Sequence, residues 1–367
     1  MQVHKSWPSI NQFRQVVREV KHRATFKGLD ENNEPIYDPF APMPTLTFEG
    51  SVKAHGTNAS VTSHVSNLND FWAQSRERVL DVVNDNYGWA RYTHEHKVVF
   101  ENLFTAAAHT FHKDTFTHYS IFGEWCGQGI QKGVGISSLH KMFIVFGIVA
   151  WEDVADDDGS VDRRIYFTPE QVKETIRYAK EILGFQGIQW PYNLYSKYNF
   201  KTYTMDIDFN QPELAQNKLG ELTVEVEQHC PIANYFGVDG VGEGIVWTCV
   251  TPGYNTSRFM FKVKGEKHSS SKVKTLASVD IEKVNSINEF ADTVITESRL
   301  NQGLEYLKVN NITLEPKSIP VFLKWISDDV VKEETDTLVA SNLEIKEVMT
   351  RVKFVARNWF LAQRDAY

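Results

Sequence analysis

The chain has 367 residues, of which 42% are hydrophobic and 23% are charged, a composition that is ordinary for a globular protein with a substantial core. No apolar run approaches the length that a bilayer crossing requires, so a transmembrane segment is not expected. The formal net charge of −8 does not by itself indicate a nucleic-acid partner. Three widely spaced cysteines without a C-x-x-C pair argue against a disulfide framework or a zinc site, and they favour a reducing compartment.

The first part of the chain predicts a helix, a connection and then strands. Apolar residues recur at helical spacing near the start: Ile10, Phe13, Val16, Val17 and Val20. Residues 26–44 are rich in turn formers, which predicts an irregular connection. Over residues 45–65, β-branched and polar residues alternate, and this pattern predicts strands.

The middle of the chain mixes helical and extended patterns. Residues 87–111 indicate mainly helix, whereas residues 119–130 and 141–151 predict two buried strands joined by a glycine-rich loop. The acidic stretch over residues 152–164 predicts a solvated hairpin tip. No functional motif is recognised in residues 151–241, so their role stays open at this point.

Two further helices precede two more strands. A threonine cap followed by a proline begins a helical pattern over residues 168–183, and a second helix is predicted near residues 211–230. Residues 240–250 and 258–265 return to the alternation that is typical of strands.

After about residue 278 the sequence pattern changes from mixed strands and helices to helices alone. Four helical segments follow without a strand candidate between them: 279–295, 298–309, 320–334 and 342–367. The polar, Ser- and Lys-rich segment 265–278 predicts a domain boundary. We therefore expect an α+β domain over residues 1–274, in which residues 1–44 form an N-terminal helix and connector, and a small all-α domain over residues 275–367.

The stretch SVKAHGTNASV, residues 51–61, places Lys53 at the end of a strand and just before a polar, glycine-bearing turn. Lysine is a nucleophile only when its amine is deprotonated, a state that nearby cations or partial burial favour. An ordinary surface lysine before a turn would have the same sequence pattern, because short motifs match by accident. The importance of Lys53 therefore depends on the rest of the chain.

Further chemically versatile residues follow Lys53 at strand ends or on strands. In chain order they are Arg76, Glu124, Phe146, Glu243, Lys262 and Lys264. Each has an ordinary structural explanation, such as a solvated arginine, a core phenylalanine, or lysines on the wet face of an edge strand. Their combination in this order is more informative than any one of them.

This ordered series resembles the motifs of the covalent nucleotidyltransferases, namely the ATP-dependent DNA ligases, the RNA ligases and the GTP-dependent mRNA capping enzymes. The resemblance covers roughly residues 45–268 and includes a K-x-x-G motif, an arginine motif, G-E, an aromatic strand, E-G and K-x-K. KAHGTN is similar to the K-x-H-G-T-N signature of the RNA ligase 2 type, where DNA ligases and capping enzymes have K-x-D-G. The helical region after Lys274 also fits this type, because DNA ligases and capping enzymes have an OB-fold there.

The resemblance implies a fold and an activity. The implied fold is a nucleotidyltransferase (ATP-grasp-like ligase) domain with antiparallel sheets, followed by the small all-α domain. The implied activity is that of an ATP-dependent RNA ligase, which seals 5′-phosphate and 3′-OH RNA ends through lysyl-AMP and RNA-adenylate intermediates. The alternatives are a DNA ligase or a GTP-dependent guanylyltransferase of the same superfamily, or a catalytically idle RNA-binding protein.

The resemblance also assigns roles to particular residues. Lys53 is the expected nucleophile, and Lys262 and Lys264 are expected to reach phosphate oxygens and to depress the pKa of Lys53 by repulsion. Glu243 and Glu124 are the expected ligands of Mg²⁺ or Mn²⁺. The expected nucleotide-binding set is Lys53, Gly56, Arg76, Glu124, Phe146, Glu243, Lys262 and Lys264. The expected catalytic set is Lys53, His55, Asn58, Glu243, Lys262 and Lys264.

Within these sets, Phe146 would stack on adenine, and Arg76 would contact ribose or phosphate. His55 and Asn58 would act with the RNA ends in the later steps. The basic stretch over residues 258–274 and the helical domain would follow the RNA backbone without reading bases. We expect a monomer without membrane contact, located in the cytoplasm of a bacterial or phage-infected cell.

Overall fold

The computed structural model describes residues 2–156, 159–181, 183–184, 190–196, 199–269, 287–341 and 343–364. Its strands, in chain order, are β1 Asn11–Gln12, β2 Phe26–Leu29, β3 Pro35–Tyr37, β4 Thr45–Val52, β5 Thr57–His64, β6 Asn67–Ser75, β7 Phe116–Cys126, β8 Met142–Asp156, β9 Gly159–Tyr166, β10 Tyr192–Asn193, β11 Thr202–Asp208, β12 Gly244–Cys249 and β13 Phe261–Lys264. Its helices are α1 Phe13–Thr25, α2 Trp89–Glu95, α3 Lys97–Thr110, α4 Pro169–Glu181, α5 Leu214–Gln228, α6 Pro231–Tyr235, α7 Ile287–Val294, α8 Glu297–Val309, α9 Ile319–Ser341 and α10 Ile345–Arg364.

The first sheet contains five strands in the order β1-β13-β12-β4-β11. Its neighbours are antiparallel, except that the short β1 runs parallel to β13. Helices α1, α5 and α6 contribute to its core, in which Phe13 and Val16 of α1 meet Phe48 and Trp247 of the sheet. The predicted N-terminal helix is confirmed, and Phe13, Val16, Val17 and Val20 form its buried face, whereas Ile10, which the spacing also included, lies before the helix.

The second sheet has the order β10-β8-β7-β5-β6, with β9 paired to β8. Its neighbours are antiparallel, except for the short β10, which runs parallel to β8. Helices α2, α3 and α4 pack against one face, where Trp89, Phe104 and Ile176 share a core with Ile121 and Val145 of the sheet. Two largely antiparallel sheets with helices packed on them confirm the predicted α+β class.

Residues 26–44, which were expected to form an irregular connection, contain the short hairpin of β2 and β3. Its turn is held by Asp30, whose Oδ1 accepts hydrogen bonds from the backbone N–H groups of Asn32 and Glu34 at 2.8 Å each. The expectation was wrong here because both strands are largely exposed. They therefore lack the alternation of buried and exposed residues by which a strand is recognised in a sequence.

The described residues within 151–241, a range that carries no recognised motif, contribute to both sheets and both of their cores. They supply β9, β10 and β11 to the sheets and α4, α5 and α6 to the cores. At the start of α4, Gln171 N donates to Thr168 Oγ1 at 3.2 Å and Thr168 N donates to Gln171 Oε1 at 2.8 Å, which confirms the predicted cap. The predicted acidic hairpin is formed by β8 and β9, and residues 157–158 of its tip lie outside the described residues.

Helices α7 to α10 pack around a core of their own that includes Phe290, Phe322, Ile326, Val352 and Phe360. The described residues after residue 286 contain helices and no strand, which confirms the prediction of an all-helical C-terminal region. The predicted boundary at residues 274 and 275 lies outside the described residues. None of the helices in the described part of the chain combines the length and the apolar character that a membrane crossing needs.

Candidate active site

Three strand ends of the first sheet bring the lysine and glutamate motifs together. β4 and β12 are antiparallel neighbours, so the end of β4 lies beside the start of β12, and Lys53 N donates to Gly244 O at 2.8 Å. β13 is antiparallel to β12 on its other side, and its last residue, Lys264, is opposite Gly244. Segments that are about two hundred residues apart in the chain therefore meet at one edge of the sheet.

Glu243 is the centre of this cluster, with 3% of its side chain exposed. Its Oε2 lies 2.8 Å from Lys53 Nζ and 3.0 Å from His55 Nδ1, and its Oε1 lies 3.1 Å from Lys264 Nζ. Burial raises the pKa of Glu243, but the charges of Lys53 and Lys264 outweigh burial and hold that pKa well below its usual range. Glu243 is therefore an ionised carboxylate that is paired on both oxygens.

The prediction that neighbouring lysines depress the pKa of Lys53 is wrong for this arrangement. Burial lowers the pKa of Lys53, but the nearby carboxylates of Glu243 and Glu124 outweigh burial and raise that pKa above its usual value. Among the lysines that contact Glu243, Lys264 has a lowered pKa, through burial first and then through the charges of Lys53 and Lys262, against the opposing effect of Glu243. Lys53 is thus held as an ammonium group in its pair with Glu243.

Gly56 and Glu124 join the cluster from the second sheet. Gly56 precedes β5, and its N–H donates to Oε1 of Glu124 on the neighbouring strand β7 at 2.8 Å. A Cβ on Gly56 would lie 2.4 Å from Trp125 O and 2.7 Å from Cys126 Cβ, so only glycine allows this approach. Burial raises the pKa of Glu124 to about 7, although the charge of Lys53 opposes the rise.

Asn58 lies directly opposite Glu124 in the register of β5 and β7. Side chains of directly opposed residues project from the same face of a sheet, so the amide of Asn58 and the carboxylate of Glu124 share one face. Thr57, between Gly56 and Asn58, is buried and its Oγ1 accepts from Asn86 Nδ2 at 3.2 Å, which is a structural contact.

Arg76 and Phe146 lie further from the cluster centre. Arg76 follows β6, is exposed, and its Nη2 donates to Ser9 Oγ at 3.2 Å. Its charge is near enough to lower the pKa of Lys53 slightly, against the larger effect of the carboxylates. Phe146 is half-buried, and its ring makes an edge contact with Trp7 at 5.1 Å between centroids. Trp7 therefore lies beside the ring that was predicted to stack on adenine.

Lys262 and Lys264 share a face of β13, as their alternation predicted, but they have different partners. Lys264 pairs with Glu243, whereas Lys262 Nζ lies 2.9 Å from Oε1 of Glu333 on helix α9. The helical region therefore reaches the site, which the sequence analysis did not anticipate.

Four site residues were missed from the sequence: Gln131, His268, Glu305 and Glu333. Gln131 Nε2 donates to Gly56 O at 3.3 Å and also to Glu305 Oε1. The His268 ring lies 5.5 Å from that of His55. Gln131 is part of the glycine-rich stretch after Glu124 and could have been found there. Glu305 and Glu333 lie in helical sequence patterns that are typical of exposed positions, so the sequence alone does not indicate that they belong to the site.

The carboxylates of Glu124 and Glu243 suit a metal ion that needs only one or two protein ligands. Among the described residues there is no group of three or more His, Cys, Asp or Glu side chains arranged to hold a metal. Mg²⁺ keeps several waters and needs only one or two carboxylates together with substrate phosphates. Because both oxygens of Glu243 are paired with cationic or donor groups, an ion binding there competes with Lys53 and Lys264.

A half-buried lysine and paired carboxylates beside two further cationic side chains form a site suited to covalent transfer of a phosphoryl-linked group. The RNA ligase family model matches residues 46–264, which is more than half of the chain and includes each of these motifs. The chain belongs to the RNA ligase family. A search of curated protein sequences finds no match.

Solved structures with similarity to the chain include three of a Naegleria gruberi RNA ligase. The complex with PPi has 13% identity and a TM-score of 0.43, covering 73% of this chain and 58% of that chain. A variant with ATP and Mn has 13% identity and a TM-score of 0.43, covering 71% and 56%. Another variant, with AMP and Mn, has 12% identity and a TM-score of 0.43, covering 73% and 58%. The chain thus spans less than two thirds of the length of that ligase.

Proposed function

We propose that the protein is an ATP-dependent RNA ligase that joins a 5′-phosphate to a 3′-OH through lysyl-AMP and RNA-adenylate intermediates. The observation that carries this proposal is the cluster at Lys53, in which a lysine at a strand end faces Glu243 and Glu124 and is flanked by Lys264. An RNA-binding protein without catalytic activity has no use for a half-buried lysine between a buried and a half-buried carboxylate in this arrangement.

In the first step, Lys53 Nζ loses a proton and attacks the α-phosphorus of ATP. A bond forms between nitrogen and phosphorus, the bond to the bridging oxygen breaks, and pyrophosphate leaves. Because Lys53 is paired with Glu243 as an ammonium group, the arrival of the nucleotide must separate this pair before the attack. Lys264 and Lys262 stabilise the charge on the phosphate oxygens.

In the second step, an oxygen of the RNA 5′-phosphate attacks the phosphorus of the lysyl-AMP, and Lys53 is the leaving group. In the third step, the 3′-OH attacks the activated 5′-phosphate and AMP leaves. We assign His55 and Asn58 to these later steps, since both are beside the cluster and neither is required to position Lys53. His55 reaches the site through Glu243 Oε2.

Glu124 and Glu243 are the residues that would hold a Mg²⁺ or Mn²⁺ ion. Such an ion neutralises charge on phosphate oxygens when it is bound. We assign Phe146 to the adenine and Arg76 to the ribose or phosphate, with Gly56 allowing the backbone to approach the nucleotide.

The RNA partner is proposed to bind along the basic stretch, of which Lys272 and Lys274 lie outside the described residues. Arg258 of this stretch is exposed and pairs with Glu19 at 3.2 Å on the surface. We further propose a domain boundary between residues 274 and 275, and a cytoplasmic monomer. A reducing location agrees with three cysteines that are all free and buried.

The test of this function is end joining on a nicked RNA duplex that carries a labelled 5′-phosphate, with ATP and Mg²⁺. The protein is expected to give a joined strand, and Lys53→Ala is expected to give none, whereas Lys317→Ala, at an exposed lysine, retains activity. RNA that already carries the 5′-adenylate should be joined by Lys53→Ala without ATP. Failure on nicked, single-stranded and RNA–DNA hybrid substrates alike would contradict the proposal, and joining of a DNA nick alone would favour a DNA ligase.

A further inference from the structure

The helical C-terminal region docks on α1 through a buried network of ion pairs. Arg14 of α1 lies 2.9 Å from Asp336 Oδ2 and 3.1 Å from Glu334 Oε2, both on α9. Arg299 of α8 lies 3.5 Å from Glu334 Oε1 on its other side. Arg14 is 7% exposed, and Glu334 and Arg299 are fully buried. Buried charges are tolerated only with well-placed partners, so the network defines one docked position of the helices.

In that docked position, Glu333 of α9 is placed on Lys262, one of the two lysines of the K-x-K motif. Its Oε1 lies 2.9 Å from Lys262 Nζ, and its Oε2 accepts from Gln12 Nε2 at 2.8 Å. Burial raises the pKa of Glu333, but the charge of Lys262, the hydrogen bonds from Lys262 and Gln12, and the charge of Lys264 together outweigh burial and lower that pKa to about 2. At neutral pH an ionised carboxylate is thus paired with a lysine that is suited to binding phosphate.

A second carboxyl group of the helical region approaches the site from the opposite flank. Glu305 of α8 accepts a hydrogen bond from Gln131, which also donates to Gly56 O at 3.3 Å. Burial raises the pKa of Glu305 to about 7, and His55, Glu124 and Glu243 are close enough to act on it. In the docked position the site is therefore lined by four carboxyl groups, from Glu124, Glu243, Glu305 and Glu333.

We propose that the helical C-terminal region is an acidic lid, in which Glu333 occupies the position on Lys262 that a substrate phosphate takes, so that the docked lid and the phosphate exclude one another. Identifying that phosphate as part of ATP or of RNA rests on the proposed function, whereas the competition with Glu333 at Lys262 is expected for any phosphate. Binding must then displace the lid, and the affinity for phosphate is reduced by the fraction of molecules that are closed.

The first test compares Glu333→Gln with the unaltered full-length chain by calorimetric titration with inorganic pyrophosphate. The glutamine keeps the size of the side chain but removes the charge that competes for Lys262. We expect pyrophosphate to bind the variant about tenfold more tightly, within the usual range of coupling between sites. The matched control is Asp328→Asn, an acidic residue of the same helix that is 65% exposed and pairs with Lys324, and its affinity is expected to be unchanged. Equal or weaker binding to Glu333→Gln would overturn the lid.

The second test needs no variant and reports on the lid directly. Amide hydrogen exchange is measured along α9 and α1 of the unaltered chain with and without pyrophosphate. The lid requires exchange around Lys332 to Asp336 and Gln12 to Arg18 to increase as pyrophosphate binds. Protection of both segments by pyrophosphate would overturn the proposal, even where Glu333→Gln fails to fold.

Two further experiments distinguish ATP from RNA as the source of the phosphate, and distinguish the lid proposal from the ligase proposal. Once pyrophosphate shows the expected gain, repeating the titrations with ATP and with a nicked RNA duplex shows which of the two supplies the phosphate that competes with Glu333. If pyrophosphate behaves as expected but Lys53 never acquires AMP, the ligase function fails and the lid stands. If Lys53 acquires AMP but Glu333→Gln gains no affinity for any of these phosphates, the lid fails and the ligase function stands.

Discussion

Glu243 sets the charge balance of the site, because one carboxylate separates two ammonium groups. Lys53 and Lys264 approach its two oxygens at 2.8 and 3.1 Å, and His55 shares the oxygen with Lys53. Without this carboxylate, two like charges would face each other in a buried place. The positions of Lys53 and Lys264 therefore depend on Glu243. His55 contacts Glu243 at the oxygen that it shares with Lys53, so His55 can be replaced without removing either lysine contact.

Replacement of His55 by alanine is expected to separate the early and the late steps. Lys53 and Lys264 retain their contacts with Glu243, so the variant should form lysyl-AMP within about tenfold of the normal rate. Joining of RNA ends should fall by about a hundredfold or more, as is usual for loss of a group that acts in the chemical step. Gel assays of labelled protein and of joined RNA measure the two rates. His229→Ala, at an exposed histidine paired with Asp239, is the control. A loss of labelling as large as the loss of joining would contradict this assignment.

Replacement of Gly56 by alanine is expected to destabilise the protein and disturb the site. The added methyl group would lie 2.4 Å from Trp125 O, which is backbone and cannot move aside. We expect a loss of about 1–3 kcal/mol in the free energy of unfolding, the range for overpacking. Gly237→Ala is the control, because its methyl group meets open space and only its left-handed backbone, with φ at 73°, opposes it. Chemical denaturation that showed Gly56→Ala to be the milder change would be inconsistent with this packing.

At the scale of elements, the site depends on strands that end at the same place. The ends of β4 and β13 lie beside the start of β12, and Gly56, just before β5, meets Glu124 of β7 in the second sheet. The helices α8 and α9 close the arrangement from outside through Glu305 and Glu333. The docking of these helices on α1 is therefore an element-scale property that can be tested separately from catalysis.

Removal of the Arg14 side chain is expected to weaken this docking strongly. Arg14→Ala leaves Glu334 and Asp336 buried without one of their partners, for which about 3–5 kcal/mol is usual. Chemical denaturation of the full-length chain measures the loss. The control is Arg258→Ala, which breaks an exposed pair with Glu19 and should cost less than about 1 kcal/mol. Equal effects of the two variants would show that the Arg14 network does not hold the helices in place.

The Glu333 contact should give the docking a defined pH dependence. The pKa of Glu333 is lowered from 4.5 to about 2, so its ionised form stabilises the folded state at pH values above 4.5. That stabilisation is lost as the pH falls from 4.5 towards 2, because the carboxylate becomes protonated. The difference in unfolding free energy between the unaltered chain and Glu333→Gln should therefore be constant at neutral pH and should shrink on acidification. A difference in unfolding free energy that grew on acidification would contradict the lowered pKa of Glu333.

At the scale of the whole molecule, much of the catalytic part could be predicted from the sequence. Most of the helices and longer strands and the order of motifs follow from local patterns and a family resemblance, but the exposed hairpin of β2 and β3 and strand β11 were not predicted. The pKa of Lys53 could not be predicted in this way, because it depends on which carboxylates approach in three dimensions. Glu333 could not be found either, because its role arises from the docking of one core on another rather than from the pattern of α9.

Whether Lys53 is the nucleophile can be measured by covalent labelling of the purified chain with ATP labelled on the α-phosphate, in the presence of Mg²⁺. We predict a label that survives denaturation, maps to Lys53 by mass spectrometry and is absent from Lys53→Ala. Labelled GTP, run in parallel, should give none. Labelling by GTP alone would indicate a guanylyltransferase. If neither nucleotide labels the protein, even after pyrophosphate has removed any AMP already attached, the account of Lys53 as the nucleophile is contradicted.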